Sequence, residues 1–203
     1  MPRQFQGLAV ITQQNTPGSS PLPGTRKELV HIESHTKELW VESLPGDKAT
    51  VENVLSCMKT CSWVHLACHA VQILTEPTKS GFLLHDGALE LSEIIKLSLP
   101  HADFTFLSAC QTATGNEKLS EEAVHLAAGM LSAGYRSVIA TMWSISDKEA
   151  PFLANDVYSE LLKDGKPDST RSAYALHRAV KNLRQRNGES SFLSWVPFIH
   201  VGI

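Results

Sequence analysis

One short segment, residues 102–112, constrains the fold more than any other part of this 203-residue chain. Its apolar, aromatic and β-branched run Phe104–Leu107 follows the helix-breaking Pro100, and a run of this length favours a buried strand over a helix. Three small residues, Ser108–Cys110, end the run before a polar loop begins. In a parallel α/β sheet, ligands and catalytic groups gather at the carboxyl ends of strands. The sequence therefore predicts a thiol where it can meet a substrate.

A second strand-like run, Trp63–Ala70, closes on His69, so that a histidine and a cysteine stand at the ends of two predicted buried strands. About forty residues separate His69 from Cys110, enough for a right-handed crossover between adjacent parallel strands. A cysteine nucleophile needs a base, because a free thiol with a pKa near ~8.5 is mostly protonated at neutral pH. We therefore hypothesise a His69–Cys110 pair, with an oxyanion stabilised by backbone N–H groups of Ala70 and Cys110.

The remaining chain alternates short apolar runs with helical patterns, which predicts an α/β fold: a mostly parallel sheet with helices on both faces. Thr25 is predicted to cap the first helix, and Ser120–Glu122 to open a later one. The predicted strands are 7–12, 39–42, 63–69, 104–107, 135–143 and 195–201, with a hairpin at 82–91. The predicted helices begin near residues 25, 49, 92, 120, 149 and 170.

Composition narrows the class of protein. With 42% hydrophobic and 19% charged residues, residues 1–203 suit one domain, which we expect to be the C-terminal part of a longer protein. A formal net charge of -3 gives no basic face for nucleic acid. No apolar run approaches the roughly 20 residues that span a bilayer, so no membrane partner is expected. Four cysteines without an export signal indicate a reducing, cytoplasmic setting.

Two further patterns each have more than one interpretation. The cysteine and histidine run from Cys57 to His69 fits no common zinc spacing, and alternation along a strand points Cys68 and His69 to opposite faces, so no metal is expected. Asp147 has two compatible interpretations: it caps the helix at 149–162, and it lines a substrate pocket at the end of its strand. The four tryptophans, in apolar contexts, are expected in the core: Trp40, Trp63, Trp143 and Trp195.

Three segments, residues 66–69, 107–112 and 133–143, together resemble the CHAT domain family. These are caspase-like, separase-related cysteine peptidase domains, often attached to tetratricopeptide repeats. The resemblance implies a caspase-hemoglobinase-like three-layer sandwich, with His69 at the position of the catalytic histidine and Cys110 at that of the nucleophile. The separase relationship also favours a role for Asp147 in lining a pocket that binds a basic substrate residue before the scissile bond. Relatives usually have glycine where this chain has Ala70, which would matter if the position needs positive φ.

The implied activity is a cysteine endopeptidase that cleaves specific protein substrates in a signalling or regulated cell-death pathway. Neither a metal nor an organic cofactor is required, and the expected partners are a protein substrate and a tetratricopeptide-repeat or other regulatory region of the same longer chain. The alternative is a catalytically weak or inactive scaffold or interaction module, which Ala70 motivates. A redox-sensing Cys110 lacks an evident resolving thiol and ranks last.

Overall fold

A computed structural model describes residues 4–73, 75–108, 110–111 and 123–203. The strands are β1 Leu8–Thr12, β2 Val41–Pro45, β3 Trp63–Ala67, β4 His69–Val71, β5 Gly81–Leu83, β6 Ala88–Glu90, β7 Phe104–Leu107, β8 Cys110–Gln111, β9 Ser137–Thr141 and β10 Phe198–Gly202. The helices are α1 Gly24–His35, α2 Val51–Thr60, α3 Leu91–Ile95, α4 Ala123–Ser132, α5 Ala150–Leu161, α6 Ser172–Asn187 and α7 Phe192–Trp195. The helix start predicted at Ser120–Glu122 lies outside the described residues.

Among the described residues, the larger of two sheets has six strands in the order β10-β9-β7-β3-β1-β2. Its β9–β10 pair is antiparallel, whereas its other neighbours run parallel. Parallel neighbours need crossover connections, and the intervening helices supply them. The prediction of a mostly parallel sheet is confirmed.

Side-chain alternation along β1 shows how the sheet becomes the middle of three layers. Leu8 and Val10 lie in a buried core that includes residues of α1, α5 and α6. Ala9 and Ile11, which point the opposite way, lie in a second core that includes residues of α2, α3 and α4. The prediction of helices on both faces is confirmed, and this arrangement is the three-layer sandwich.

The smaller sheet, in the order β6-β5-β4-β8, continues from the carboxyl edge of the larger one. Its β5–β6 pair is antiparallel, which confirms the predicted hairpin. The strand predicted to run from Trp63 to His69 is divided: β3 ends at Ala67, and His69 begins β4, which pairs with the hairpin instead. Hydrophobic pattern alone predicts one strand here, because the residues at the break are also buried.

The helix caps differ from the sequence predictions. α1 begins at Gly24, so Thr25 lies inside the helix, where its hydroxyl donates to the carbonyl of Leu22 at 2.8 Å. α5 begins at Ala150, and the residue before it makes no side-chain capping hydrogen bond. The predictions that Thr25 caps α1 and that Asp147 caps α5 are therefore both wrong. The Thr25 hydroxyl binds the backbone three residues earlier, whereas the Asp147 carboxylate binds the backbone of the distant Gly24.

The edges of the fold also differ from expectation. The second strand begins at Val41 rather than at residue 39, and the last strand begins at Phe198 because the short helix α7 precedes it. Trp63 is buried in the core as predicted, but Trp40 is 55% exposed. Its indole packs against Gly7, where an added Cβ would lie 2.5 Å from the ring, and the rest of the side chain faces solvent. Within the described part of the chain, no helix has the length and apolar character needed to cross a membrane.

A buried polar contact joins helix α1 to the central strand β3. His65 Nε2 and Glu28 Oε2 are 3.1 Å apart, and both side chains are almost wholly buried. The imidazole ring also packs on Phe106 and Tyr158, with centroid distances of 4.9 and 5.7 Å. Buried polar side chains of this kind stabilise only while they keep their partners. The contact therefore fixes α1 against the sheet.

We expect Glu28→Ala to lower the free energy of unfolding by about 3 kcal/mol, because His65 would stay buried without its partner. Urea denaturation followed by circular dichroism measures the change. The matched control is Glu76→Ala, which removes the exposed Glu76–Lys79 pair, 2.7 Å apart, and should cost less than about 1 kcal/mol. Equal losses in the two variants would contradict a stabilising role for the buried contact.

Candidate active site

The two sheets bring His69 and Cys110 to neighbouring positions. In the larger sheet, Leu66 of β3 pairs with Leu107 of β7, and both His69 and Cys110 follow three positions later. In the smaller sheet, the parallel strands β4 and β8 pair His69 directly with Cys110. Neighbouring strands lie roughly 4.8 Å apart. The requirement that the two strand ends be adjacent is therefore met.

A backbone carbonyl fixes the proton on the His69 ring. Nε2 of His69 lies 2.7 Å from the carbonyl oxygen of Ser20, and the ring is only 2% exposed. A carbonyl oxygen accepts hydrogen bonds but cannot donate them, so Nε2 carries the proton and Nδ1 of the neutral ring is the basic nitrogen. Nδ1 is buried and has no hydrogen-bond partner among the described residues. The histidine is thus held in the form that a general base needs.

Sequence reasoning missed Ser20. The proline-rich stretch before α1 predicted a loop and nothing more, because the contact uses the main-chain oxygen rather than the serine side chain. A carbonyl is present in every residue, so residue type carried no signal. The nearest hint was the rigidity that several prolines give to one short loop.

Ala70, where the family resemblance leads us to expect glycine, occupies an ordinary strand position. It lies within β4, pairs with Phe82 of β5, and its side chain is part of the buried core beside α2 and α3. Among the described non-glycine residues, Asp164 alone has a positive φ. Ala70 therefore has no backbone strain that glycine would relieve.

Asp147 lies in the turn after β9, in contact with the loop that holds His69. Its Oδ2 accepts a hydrogen bond from the backbone N–H of Gly24 at 2.7 Å. The carboxylate thus caps α1 instead of α5, where it also complements the positive end of the helix dipole. Its participation in a substrate pocket stays a prediction.

The other three cysteines have no access to a substrate. Burial raises the pKa of Cys57 to about 12 and, as the largest cause, also raises the pKa of Cys61 and Cys68. Thiols in this state are mostly protonated at neutral pH and react slowly. Among the described residues, no group of three or more His, Cys, Asp or Glu side chains is placed to hold a metal ion.

Comparison with known proteins decides the family. The model of the CHAT domain matches residues 2–203. The chain belongs to the CHAT domain family. No curated protein sequence matches this CHAT domain.

Two solved structures share the fold of this CHAT domain. The complex of Porphyromonas gingivalis RgpB pro- and mature domains has a TM-score of 0.57 and 11% identity, over 97% of this chain and 47% of that one. The Arg-specific cysteine proteinase gingipain R has a TM-score of 0.58 and 12% identity, over 97% and 46%. The CHAT domain thus spans about half the length of each, and at these identities the likeness concerns the fold. Its fold is one that these cysteine proteinases share.

We expect iodoacetamide to alkylate Cys57, Cys61 and Cys68 at least about a hundredfold more slowly in the folded CHAT domain than in the urea-unfolded chain. Cys110 should be alkylated selectively, and His69→Ala should slow that reaction. Quenched alkylation followed by peptide mapping measures each site. Equal labelling of all four thiols in the folded protein would argue against an activated cysteine.

Proposed function

We propose that this CHAT domain is a cysteine endopeptidase in which His69 and Cys110 form the catalytic dyad. The observation that carries the proposal is the pairing of His69 with Cys110 in β4 and β8, together with the carbonyl that fixes the His69 proton on Nε2. Membership of the CHAT domain family and the caspase-like scaffold support the same reaction class.

In the proposed reaction, Nδ1 of His69 takes the proton of the Cys110 thiol as sulfur attacks the peptide carbonyl. The C–S bond forms, and the carbonyl electrons move to oxygen, where the backbone N–H group of Cys110 stabilises the oxyanion. Collapse of this intermediate breaks the C–N bond, and His69 gives its proton to the leaving amine. Water then attacks the thioester with His69 as base, releasing the acid and restoring the thiol.

The broader biological assignment rests on the family resemblance. We propose a specific protein substrate in a signalling or regulated cell-death pathway of the cytoplasm. We further propose that a tetratricopeptide-repeat or other regulatory region of a longer chain controls the domain. A basic residue before the scissile bond, with Asp147 in its pocket, is the proposed preference. One structural neighbour is an Arg-specific cysteine proteinase, which supports testing that preference first.

We expect the wild-type chain to cleave members of a fluorogenic peptide library that varies the residue before the scissile bond. Cys110→Ala should lower kcat/KM by at least about a thousandfold, because the nucleophile is removed, without changing the melting temperature. Cleavage that persists in Cys110→Ala would contradict the proposal. Silence of the wild type, with or without candidate regulatory regions, would favour the inactive scaffold instead.

Ala70→Gly provides a separate test of whether alanine disables the site. Because Ala70 has ordinary strand geometry, we expect kcat/KM to change by less than about threefold, while glycine destabilises the strand by roughly 0.5–1 kcal/mol. Steady-state kinetics and urea denaturation measure the two effects. Turnover that appears only in Ala70→Gly would show that the methyl group blocks an otherwise intact site.

A further inference from the structure

A five-residue segment, Ser20–Gly24, connects the proposed catalytic histidine with Asp147. At one end the carbonyl of Ser20 accepts the Nε2 proton of His69 at 2.7 Å. At the other end the N–H of Gly24 donates to Asp147 Oδ2, also at 2.7 Å. These five residues form the 20–24 strap. The carboxylate of Asp147, in the loop after β9, thus contacts the segment that orients His69.

The 20–24 strap is stiff enough to transmit a displacement from one end to the other. Pro21 and Pro23 have φ angles restricted to about −65° by their rings. Leu22, between them, is 5% exposed, and its N–H donates to the carbonyl of Gln14 at 2.8 Å. The carbonyl of Leu22 accepts from the Thr25 hydroxyl at 2.8 Å. A shift at Gly24 therefore moves a constrained unit rather than a flexible loop.

The contact between the strap and Asp147 is close-packed as well as hydrogen-bonded. A Cβ added to Gly24 would lie 2.1 Å from the backbone oxygen of Asp147 and 2.7 Å from its Oδ1. Such distances leave no space for a methyl group. Nearby, Ile145 is buried in the core beside α5, which anchors the loop that carries Asp147. Glycine at position 24 and aspartate at position 147 thus fit each other.

We propose that Asp147 is a positioning residue for His69. By holding Gly24, its carboxylate keeps the Ser20 carbonyl at Nε2, so that the proton stays on Nε2 and Nδ1 stays available as the base. The catalytic consequence rests on the proposed peptidase function, whereas the effect on the histidine proton does not. Positioning needs an acceptor oxygen at position 147, while a pocket for a basic substrate needs its negative charge.

Asp147→Ala and Asp147→Asn separate these two needs. For Asp147→Ala we expect kcat to fall about 10–100-fold with KM changed less than about threefold, since small misplacements of catalytic groups have effects of this size. Asp147→Asn should restore kcat to within about threefold of wild type, because the amide oxygen still accepts from Gly24. Gly24→Ala should repeat the Asp147→Ala effect from the other side of the contact.

The histidine proton is measured without any substrate. Nuclear magnetic resonance of the ¹⁵N-histidine-labelled chain at alkaline pH reports the tautomer of each neutral ring, and the spectrum of His69→Gln identifies the His69 signals. We expect the Nε2–H form in the wild type and in Asp147→Asn, and a mixture of tautomers in Asp147→Ala and Gly24→Ala.

The matched control is Asp168→Ala. Asp168 is a partly exposed carboxylate that accepts from the Thr170 N–H at 3.1 Å, in the connection between α5 and α6. Its loss should leave the His69 tautomer unchanged.

Two results would overturn the inference. One is an unchanged His69 tautomer in both Asp147→Ala and Gly24→Ala. The other is that Asp147→Asn and Asp147→Ala both raise KM, and do so only for substrates with a basic residue before the scissile bond. That result would assign Asp147 to the substrate pocket. A wild-type chain that cleaves nothing would contradict the peptidase proposal, while the tautomer measurement would still decide the positioning role.

Discussion

The parallel pairing of β3 with β7 is the constraint on which the candidate site depends. It aligns the two strands so that equal lengths of chain lead from Leu66 to His69 and from Leu107 to Cys110. A register error of one residue would turn every side chain of a strand to the opposite face of the sheet. Both cores would then lose their apolar contacts, so the burial that stabilises the sandwich also sets the register of the site.

The orientation of His69 depends on a different part of the molecule. Its ring is fixed by a loop that leaves β1, passes over the carboxyl edge of the sheet and enters α1. That loop is in turn held by buried Leu22, by the start of α1 and by Asp147. Helix α1 is fixed against β3 by the Glu28–His65 contact. Cys110 and His69 are therefore positioned by two systems, a strand register and a helix with its preceding loop.

Much of this fold follows from sequence, and the reasons are local. Runs such as Phe104–Leu107 are long enough for a strand and too short for a helix, and Ser108–Cys110 ends in small residues that mark a strand terminus. The same logic selected His69. It failed at the helix starts: the Asp147 carboxylate binds the distant Gly24 instead of capping its own helix, and the Thr25 hydroxyl binds the preceding turn because α1 begins one residue before it. The role of Ser20 could not be predicted because its contact uses a backbone carbonyl, which every residue has. The break between β3 and β4 could not be predicted because the residues on both sides of it are buried.

The central claim is that Cys110 forms a covalent bond to the substrate. Rapid mixing of the chain with a cleavable peptide, an acid quench and intact-mass analysis with peptide mapping would test it directly. We predict a transient thioester on Cys110 whose mass matches the amino-terminal part of the peptide, absent in Cys110→Ala. Peptide cleavage in which Cys110 stays unmodified throughout, or an acyl group carried by another residue, would contradict it.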